Sequence, residues 1–536
     1  MSKHFTNSVT VSGKPISYSY SDENVTAVGG LPFINIALKE SALVQKISNT
    51  IQAFFPRSIF CNYSTPDLVK AVLLMRWLGF DNLEDAGWLN QDKGFKLLCK
   101  SLPSAATLSR WLTRLGNRSP DHCDDFESLL SEAVPTGGYR FDSELCMNRL
   151  MDELNCCLLE TTLNSITDSS LRRVAGNREH TFPLILDFDS TFVDCYGEQE
   201  GVAFNGKKRA NGYYPLIGFI QGKPIWIQNA PGQTDGRPLL LSCLGLILER
   251  VRVKFPTHPI LIRADGGFNC DDLIQIAEKY DAKYLIGFGQ NKTALEKLSQ
   301  GVLNLVESED YPSTYADRIP PVVRSKLLAF IRDENARPKD FVLTDKGREE
   351  YRFCGTLDSA YRSKSWKSDR RLFYRVHYKA AYEEADCRFI QTNLTDDEIF
   401  EYFFALGMNK LRTYPTDCPQ ELFPAVYAID LYDGAYSDRG NCERWIREFK
   451  AWGGTRMNSS GFVSNWILMF FSLAGQLIQR LITEVRYVGF GKIISVVTMR
   501  RVLRCPARIV ERARNVEVRL PLLSPPYRRL LEPLFA

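Results

Sequence analysis

The amino-acid sequence predicts an α/β protein with a mixed central sheet and a helical region near the N-terminus. Three apolar runs, FPLILDFDST, YYPLIGFI and PIWIQNAPG, are separated by polar turns and are typical of buried strands linked as hairpins. A long apolar helix, PLLLSCLGLILERV, precedes HPILIRADG, CDDLIQIAEKY and AKYLIGFG, which read as strand, helix and strand. Hairpins followed by strand–helix–strand crossovers predict a ribonuclease H-like mixed sheet.

The composition is that of a folded protein with two to four domains. A chain of 536 residues is too long for one compact core, and 44% hydrophobic with 24% charged residues is typical of globular proteins. The net charge of +4 permits a nucleic-acid partner without requiring one.

Cysteine usage and hydropathy favour the cytoplasm. The 14 cysteines include no CxxC pair and only 5 histidines are present, which argues against structural zinc and a secreted disulfide framework. The first residues, MSKHFTNSVTVSG, contain no apolar segment of a signal peptide. The most apolar stretch, Trp466 to Gly475, is too short to span a bilayer and is predicted to be a buried helix, so no membrane partner is expected.

Residues 1–175 are predicted to form a mostly helical domain that binds DNA. Helical periodicity is present in LLMRWLGF, DNLEDAGWL and SAATLSRWLTRL, and Ser104 is a suitable N-cap for the last segment. In a helix-turn-helix arrangement, Arg110 and Arg114 would point outward to DNA. A small helical bundle whose exposed arginines are merely solvated is the alternative.

The remaining chain is predicted to divide the sheet domain around an insertion. Residues 176–290 form its first part, residues 291–395 a β-rich insertion containing REEYRFCGTL, RRLFYRVHY and CRFIQTNL, and residues 396–490 its second part. Trp366 lies among cations in that insertion, a setting suited to stacking on an unpaired base. Residues 491–536 are basic and either lie on DNA or form an arginine-rich surface helix.

Three carboxylates are predicted to meet at one edge of the sheet. Asp187 and Asp189 lie on the same face of the first strand near its end, and Asp265 ends a strand expected to be its neighbour. The helix with Glu443 is expected to pack beside that edge. Three convergent carboxylates need cations, and hard oxygen ligands favour two Mg²⁺ ions, for which Mn²⁺ can substitute. Asp189 is preferred as the ligand because a Ser-Thr turn follows it, and a turn-capping role is the alternative for each aspartate.

A polar stripe predicts contacts with a phosphate backbone. Tyr436, Arg439, Glu443 and Lys450 have spacings that place them on one helix face. Arg447 lies one turn beyond Glu443 and can join them. The cations are expected to bind phosphates beside the metal ions, and the tyrosine to hydrogen-bond a phosphate or stack on a base.

Together these motifs resemble those of the DDE transposases of bacterial insertion sequences, in particular those with the YREK signature. That signature is matched by YSDRGNCERWIREFK, from Tyr436 to Lys450. LDFDST resembles the motif of the family's first catalytic aspartate, and IRADGGF that of the second. The resemblance therefore assigns Asp189, Asp265 and Glu443 as catalytic residues and metal ligands.

The resemblance implies a cut-and-paste DNA transposase. Such an enzyme binds terminal inverted repeats, frees a 3′-hydroxyl, passes through hairpin ends and joins the ends to target DNA. Pairing of two ends implies a homodimer on double-stranded DNA. The family also implies a bacterial, nucleoid-associated location in the cytoplasm, and a catalytic role for the divided sheet domain.

Two other functions are compatible with parts of the sequence. LDFDST also fits the DxDxT pattern of haloacid-dehalogenase-type phosphatases, with Asp187 as nucleophile, Asp189 as acid and Thr191 behind them. That interpretation leaves the Tyr-Arg-Glu-Lys stripe unexplained. A non-catalytic DNA-binding protein derived from a transposase is the second alternative, although all three carboxylates are present.

Overall fold

The computed structural model describes most of the chain. Its described residues are 4–11, 14–19, 24–57, 61–99, 101–117, 148–175, 178–289, 294, 350–356, 361–362, 366–379, 384–399, 401–402, 430–486, 494–512, 515–521 and 528–530. The predicted insertion at 291–395, second part of the sheet domain at 396–490 and C-terminal segment at 491–536 therefore lie partly outside them.

Helices and strands are numbered along the chain within the described residues. The helices are α1 (Leu31–Glu40), α2 (Ala42–Phe54), α3 (Thr65–Leu78), α4 (Asp85–Leu89), α5 (Lys93–Cys99), α6 (Ala105–Asn117), α7 (Arg149–Asn164), α8 (Gly236–Lys254), α9 (Asp271–Lys279), α10 (Asp396–Ile399), α11 (Asn441–Phe449), α12 (Phe462–Arg486) and α13 (Val496–Leu503). The strands are β1 (His4–Val11), β2 (Lys14–Ser19), β3 (Val25–Thr26), β4 (Arg172–Ala175), β5 (Arg178–Thr181), β6 (Leu184–Ser190), β7 (Val193–Asp194), β8 (Ala203–Asn205), β9 (Ala210–Tyr213), β10 (Leu216–Ile220), β11 (Lys223–Gln228), β12 (Ile260–Ala264), β13 (Ala282–Phe288), β14 (Glu350–Thr356), β15 (Arg371–Lys379), β16 (Glu384–Thr392), β17 (Ala507–Glu511) and β18 (Val516–Arg519).

The chain forms two compact units. The first unit combines Met1–Arg118 with Glu448–Ala536, and the second is Ser119–Arg447. The first unit is therefore built from both ends of the chain. The predicted domain boundaries are functional assignments and stay predictions.

The second unit contains the mixed sheet, which confirms the predicted α/β class. Its strand order is β11-β10-β6-β12-β13-β16-β15-β14. β12 runs parallel to both β6 and β13, whereas β10 is antiparallel to β6 and β11. The parallel pairs need crossovers, which α8 and α9 supply, as the alternating apolar pattern predicts.

Both faces of this sheet are covered by apolar cores. Leu184, Leu186 and Phe188 of β6 belong to the core that also contains the apolar residues of α8. Ile185 belongs to the opposite core. Since successive side chains of a strand alternate between faces, Asp187 and Asp189 lie on the Ile185 face. A short π-helix, Asp430–Tyr436, contributes residues to that same core and leads toward Glu443.

Helix α7 packs on β11, the edge strand of the central sheet. Its buried Asn155 donates to the Ile227 carbonyl of β11 at 2.9 Å and accepts from the Ile227 amide at 3.0 Å. The Asn155 side chain thereby bonds both backbone polar groups of Ile227 on the edge strand. The sequence predicts this helix within the domain of residues 1–175, whereas it belongs to the second unit, because helical periodicity alone does not show which core an apolar face joins.

The described strands of the predicted insertion continue the central sheet. β16 pairs with β13, and β15 joins β16 to β14, all antiparallel. The β content predicted for residues 291–395 is therefore present in these strands.

The first unit is organised around α12, which packs on α3 and α6. α12 is the one helix among the described residues that is long and apolar enough to cross a bilayer, yet 83% of its most apolar window is buried. Trp111 of α6 lies against Phe471 of α12, with ring centroids 6.1 Å apart. This burial is that of a core helix, as predicted for the apolar stretch.

Arginines of the basic C-terminal segment bind the end of α3. The Arg500 guanidinium donates to the carbonyls of Arg76 at 2.6 Å and Trp77 at 3.2 Å, and Arg504 donates to that of Leu78 at 2.5 Å. Carbonyls in the last turn of a helix have no intrahelical partner, so these cations satisfy them. Part of the basic character predicted for DNA contact or for a surface helix is therefore structural.

Candidate active site

Asp189 lies at the exposed end of β6. Its carboxylate accepts from the Ser190 amide at 2.9 Å, and an Arg439 guanidinium nitrogen lies 3.3 Å from its other oxygen. The pKa of Asp189 is raised to about 6, mainly by burial; Arg439 lowers it, and the negative charges of Asp265 and Glu443 raise it. The site thus disfavours the negative charge of this carboxylate even with Arg439 beside it.

Asp265 follows β12, the strand next to β6. Its carboxylate accepts from the Gly267 amide at 2.9 Å and caps the short turn Gly266–Phe268. Asp189 and Asp265 line the same cleft, with a volume of about 580 Å³. The predicted convergence of these two aspartates at neighbouring strand ends therefore agrees with the geometry.

Glu443 lies in the first turn of α11 and is exposed. Its charge acts on Asp189, so the three predicted carboxylates share one electrostatic environment. In the part of the chain that the structure describes, no group of three or more His, Cys, Asp and Glu side chains is close enough to hold a metal ion. The structure brings two of the predicted ligands into one cleft and leaves the third nearby.

Tyr436 and Arg439 lie beside the aspartates. The Arg439 guanidinium carbon is 5.9 Å from the Tyr436 ring centroid. A Cβ atom at Gly287 of β13 would lie 2.5 Å from both the Tyr436 hydroxyl and the Gly266 nitrogen. The missing side chain at Gly287 therefore lets the tyrosine and the Asp265 turn approach each other. Burial raises the pKa of Tyr436, so the phenol stays protonated.

Asp187 forms a buried ion pair instead of facing the cleft. Its two oxygens accept from Arg263 at 2.7 and 2.8 Å, and Arg263 also donates to the Ala435 carbonyl at 2.5 Å. Burial raises the pKa of Asp187 and the Arg263 guanidinium acts in the opposite direction. With both oxygens bound and no exposed surface, Asp187 cannot act as the nucleophile of a phosphatase.

Three of the four other predicted cations are exposed, and Lys450 is half-buried. Arg447 is exposed on α11, and Lys450 begins the π-helical segment Lys450–Gly454 of the first unit. Arg110 and Arg114 are exposed on α6, while Trp111 and its apolar neighbours are buried, as the helical pattern predicted. DNA contact by these four residues stays a prediction.

The predicted role of Trp366 is wrong in this structure. Its side chain is only 6% exposed. The ring lies 5.5 Å from both Phe288 and Tyr361, and the Arg370 guanidinium carbon lies 4.1 Å from its centroid. Arg370 in turn pairs with Asp271. An aromatic ring enclosed in this way cannot stack on a base, and Arg370, one of its cationic neighbours in sequence, covers it.

Several residues of the cleft were not predicted. Tyr214 lines it next to Asp189, and burial, followed by the charges of Asp189 and Asp265, raises the pKa of its phenol. Phe204 and Lys207 line it from a hairpin. The available signal was the basic, glycine-flanked sequence FNGKKRANG shortly after the first aspartate motif.

Comparison with known proteins identifies the family. The profile of a family described as Transposase DDE domain group 1 matches residues 8–536. The chain therefore belongs to this family of DDE transposases. A search of curated proteins gives no match.

Two solved structures are similar in part. A cryo-EM structure of a piggyBac transposase synaptic complex with hairpin DNA is 9% identical in sequence. The match covers 88% of this chain and 79% of the piggyBac chain, with a TM-score of 0.37. A Mos1 transposase paired-end complex with the left transposon end is 12% identical in sequence. The match covers 50% of this chain and 95% of the Mos1 chain, with a TM-score of 0.15. At these scores neither likeness supports an argument about this chain.

Proposed function

We propose that this transposase cuts and joins double-stranded DNA at transposon ends, using Asp189, Asp265 and Glu443. The observation that carries the proposal is the shared cleft of Asp189 and Asp265 at the ends of neighbouring parallel strands, within the electrostatic range of Glu443. The strand order β11-β10-β6-β12-β13, with hairpins followed by parallel crossovers, supports a ribonuclease H-like assignment for the catalytic sheet.

The residues fit divalent cations. Carboxylate oxygens are the donors that Mg²⁺ and Mn²⁺ prefer, and Mg²⁺ often takes only one or two carboxylates while water and substrate phosphates complete its coordination. Asp189 and Asp265 would supply those two, and Glu443 would join when DNA is bound. Two ions held there would activate the attacking oxygen and stabilise the leaving oxygen.

Arg439 has a separate role in this proposal. Its guanidinium now neutralises Asp189, and a bound cation would release it to a phosphate oxygen next to the cleft. Arg447 and Lys450 would add phosphate contacts, and Tyr436 would hydrogen-bond a phosphate. These four residues with Glu443 form the YREK signature and its extension, which supports an origin in a bacterial insertion sequence.

The same site would serve every step of transposition. Hydrolysis at a terminal inverted repeat, attack of the 3′-hydroxyl to give a hairpin, hydrolysis of the hairpin to restore that hydroxyl, and its attack on target DNA are all in-line substitutions at phosphorus. Arg110 and Arg114 would contact the repeat, and a homodimer would hold two ends together. We place the protein in the bacterial cytoplasm, at the nucleoid.

The test uses duplexes that carry the inverted ends flanking the coding sequence. Full-length protein should cut them with Mg²⁺ or Mn²⁺ and not with EDTA. Asp189→Asn, Asp265→Asn and Glu443→Gln should each lower the rate by about a hundredfold or more, because several kcal/mol of transition-state stabilisation are lost.

Asp194→Asn is the matched control, because Asp194 is exposed shortly after Asp189 and does not line the cleft. Its rate should equal that of the unmodified protein. Specific binding without metal-dependent cleavage would contradict the proposal and favour a non-catalytic DNA-binding protein.

A further inference from the structure

A cationic hairpin forms one rim of the aspartate cleft. β8 and β9 are joined by the turn 206–209, which contains Lys207, Lys208 and Arg209. Phe204, Asn205, Gly206 and Lys207 line the same cleft as Asp189 and Asp265. The hairpin therefore brings positive charge to the cleft that holds the two aspartates.

The hairpin is fixed to the body of the second unit. Asn205 donates to the Gly232 carbonyl at 2.6 Å, and its own side-chain oxygen accepts from the Lys208 amide at 2.9 Å. A Cβ atom at Gly212 would lie 2.1 Å from the Val193 carbonyl oxygen, so β9 packs directly against β7. The Asn205 side chain and the close backbone packing of β9 thus hold the turn in position.

The aromatic and basic side chains of the hairpin are exposed to solvent. Phe204 is 57% exposed, unlike almost all large apolar residues of this unit, and the three basic residues of the turn are exposed. Within the described part of the chain, no carboxylate pairs with Lys207, Lys208 or Arg209. Arg237, the other cation lining the cleft, is paired with Asp235 at 2.7 Å.

We propose that this hairpin binds the transposon end next to the cut, with Lys207 and Lys208 on the phosphates and Phe204 stacked on a base exposed there. Positive charge gives affinity for the DNA backbone, and an exposed aromatic on a rigid support stacks on unpaired bases. The inference rests on the proposed function, since it takes DNA as the substrate of the cleft.

The first experiment measures the salt dependence of binding to duplexes carrying the inverted ends, with EDTA present so that the DNA stays intact. Each phosphate contact contributes about 0.9 to the slope of log K against log salt, so Lys207→Ala/Lys208→Ala should reduce the slope by about 1.8. Lys254→Ala is the matched control. It removes an exposed lysine at the far end of α8, about 27 Å along the helix from Gly236 at the cleft.

The second experiment places 2-aminopurine, in turn, at each nucleotide beside the cut. The unmodified protein should change its fluorescence at one position, Phe204→Ala should abolish that change and raise Kd about tenfold, and Phe204→Tyr should retain the change. Phe204 is exposed, so its replacement does not disturb the core.

The inference is overturned, and the proposed function stands, if the unmodified protein cuts the duplex while the hairpin variants show the same salt-dependence slope of binding and the same 2-aminopurine fluorescence change as the unmodified protein. If the unmodified protein neither binds nor cuts the duplex, both are overturned.

Discussion

At the scale of single residues, the site is governed by how Asp189 is surrounded. Its carboxylate is largely buried, two further acids raise its pKa, and one guanidinium opposes them. A folded-state pKa of about 6 exceeds the ordinary value, so the native protein binds this proton more tightly than the unfolded chain does. The free energy of unfolding therefore falls as the pH rises from the ordinary aspartate value of 3.8 to about 6, and it levels off above that.

Replacing this carboxylate should stabilise the metal-free protein above pH 6. Asp189→Asn should increase the free energy of unfolding by about 1 to 3 kcal/mol at pH 7.5. The reason is that the folded-state pKa of Asp189 lies about 2 pH units above its ordinary value, so ionising the native carboxyl costs free energy. At about pH 3.5, where the carboxyl is mostly protonated in both the folded and the unfolded chain, the gain should nearly vanish. Denaturant melts at both pH values in EDTA measure this, and an Asn variant less stable than the parent at pH 7.5 would contradict it.

The second residue-scale prediction concerns Gly287. Gly287→Ala should push the Tyr436 hydroxyl away from the Asp265 turn, costing about 1 to 3 kcal/mol of stability and at least about a tenfold loss of cleavage. Gly289→Ala is its control, since a Cβ atom there meets nothing within 4 Å. Thermal melts and cleavage rates of the two variants should differ clearly. Equal behaviour would show that the close approach is unimportant.

At the scale of elements, one buried ion pair connects three parts of the second unit. Asp187 belongs to β6 and Arg263 to β12, in directly paired positions, and Arg263 reaches the Ala435 carbonyl of the π-helix before Glu443. This pair holds the segment that leads to the third carboxylate against the two strands that carry the first two.

Removing one partner should be far more harmful than removing both. Arg263→Met leaves a buried carboxylate unpaired and should cost about 3 to 5 kcal/mol, whereas Asp187→Leu/Arg263→Met should recover much of that loss. Chemical denaturation of the single and double variants provides the measurement. A single variant as stable as the parent would mean that the pair contributes little to the fold.

Much of this element-scale picture could be predicted from the sequence. The apolar runs that lead to Asp189 and Asp265 could be recognised as strands, because buried strands have a distinctive apolar pattern. As predicted, these two strands are neighbours in the sheet. The Asp187–Arg263 pair could not be predicted, since one sequence does not reveal which side chains meet across strands. Trp366 was misjudged for the same reason, because its sequence neighbours did not reveal the ring of Phe288.

At the scale of the whole molecule, the two ends of the chain fold together. The N-terminal helices share their unit with α12, α13, β17 and β18. The sequence predicted a helical domain ending at residue 175, but nothing local indicates that its core is completed by a helix beginning at Phe462.

The N-terminal helices should accordingly not fold alone. A fragment of residues 1–117 should show no cooperative thermal transition by circular dichroism, because the α3 and α6 surfaces that α12 covers would be exposed. Joining residue 117 to residue 448 through a flexible linker, with the C-terminus retained, should restore the transition. Cooperative unfolding of the isolated fragment would contradict this prediction.

This arrangement also sets a schedule for synthesis. About 330 residues separate Arg118 from Glu448, and a ribosome adding about 5 to 20 residues per second needs roughly 15 to 70 s to translate them. During that interval the apolar faces of the N-terminal helices stay exposed, so chaperones are expected to bind them. Messages cut short before α12 would yield chains that never complete this unit, so only nearly full-length translation can produce a competent recombinase.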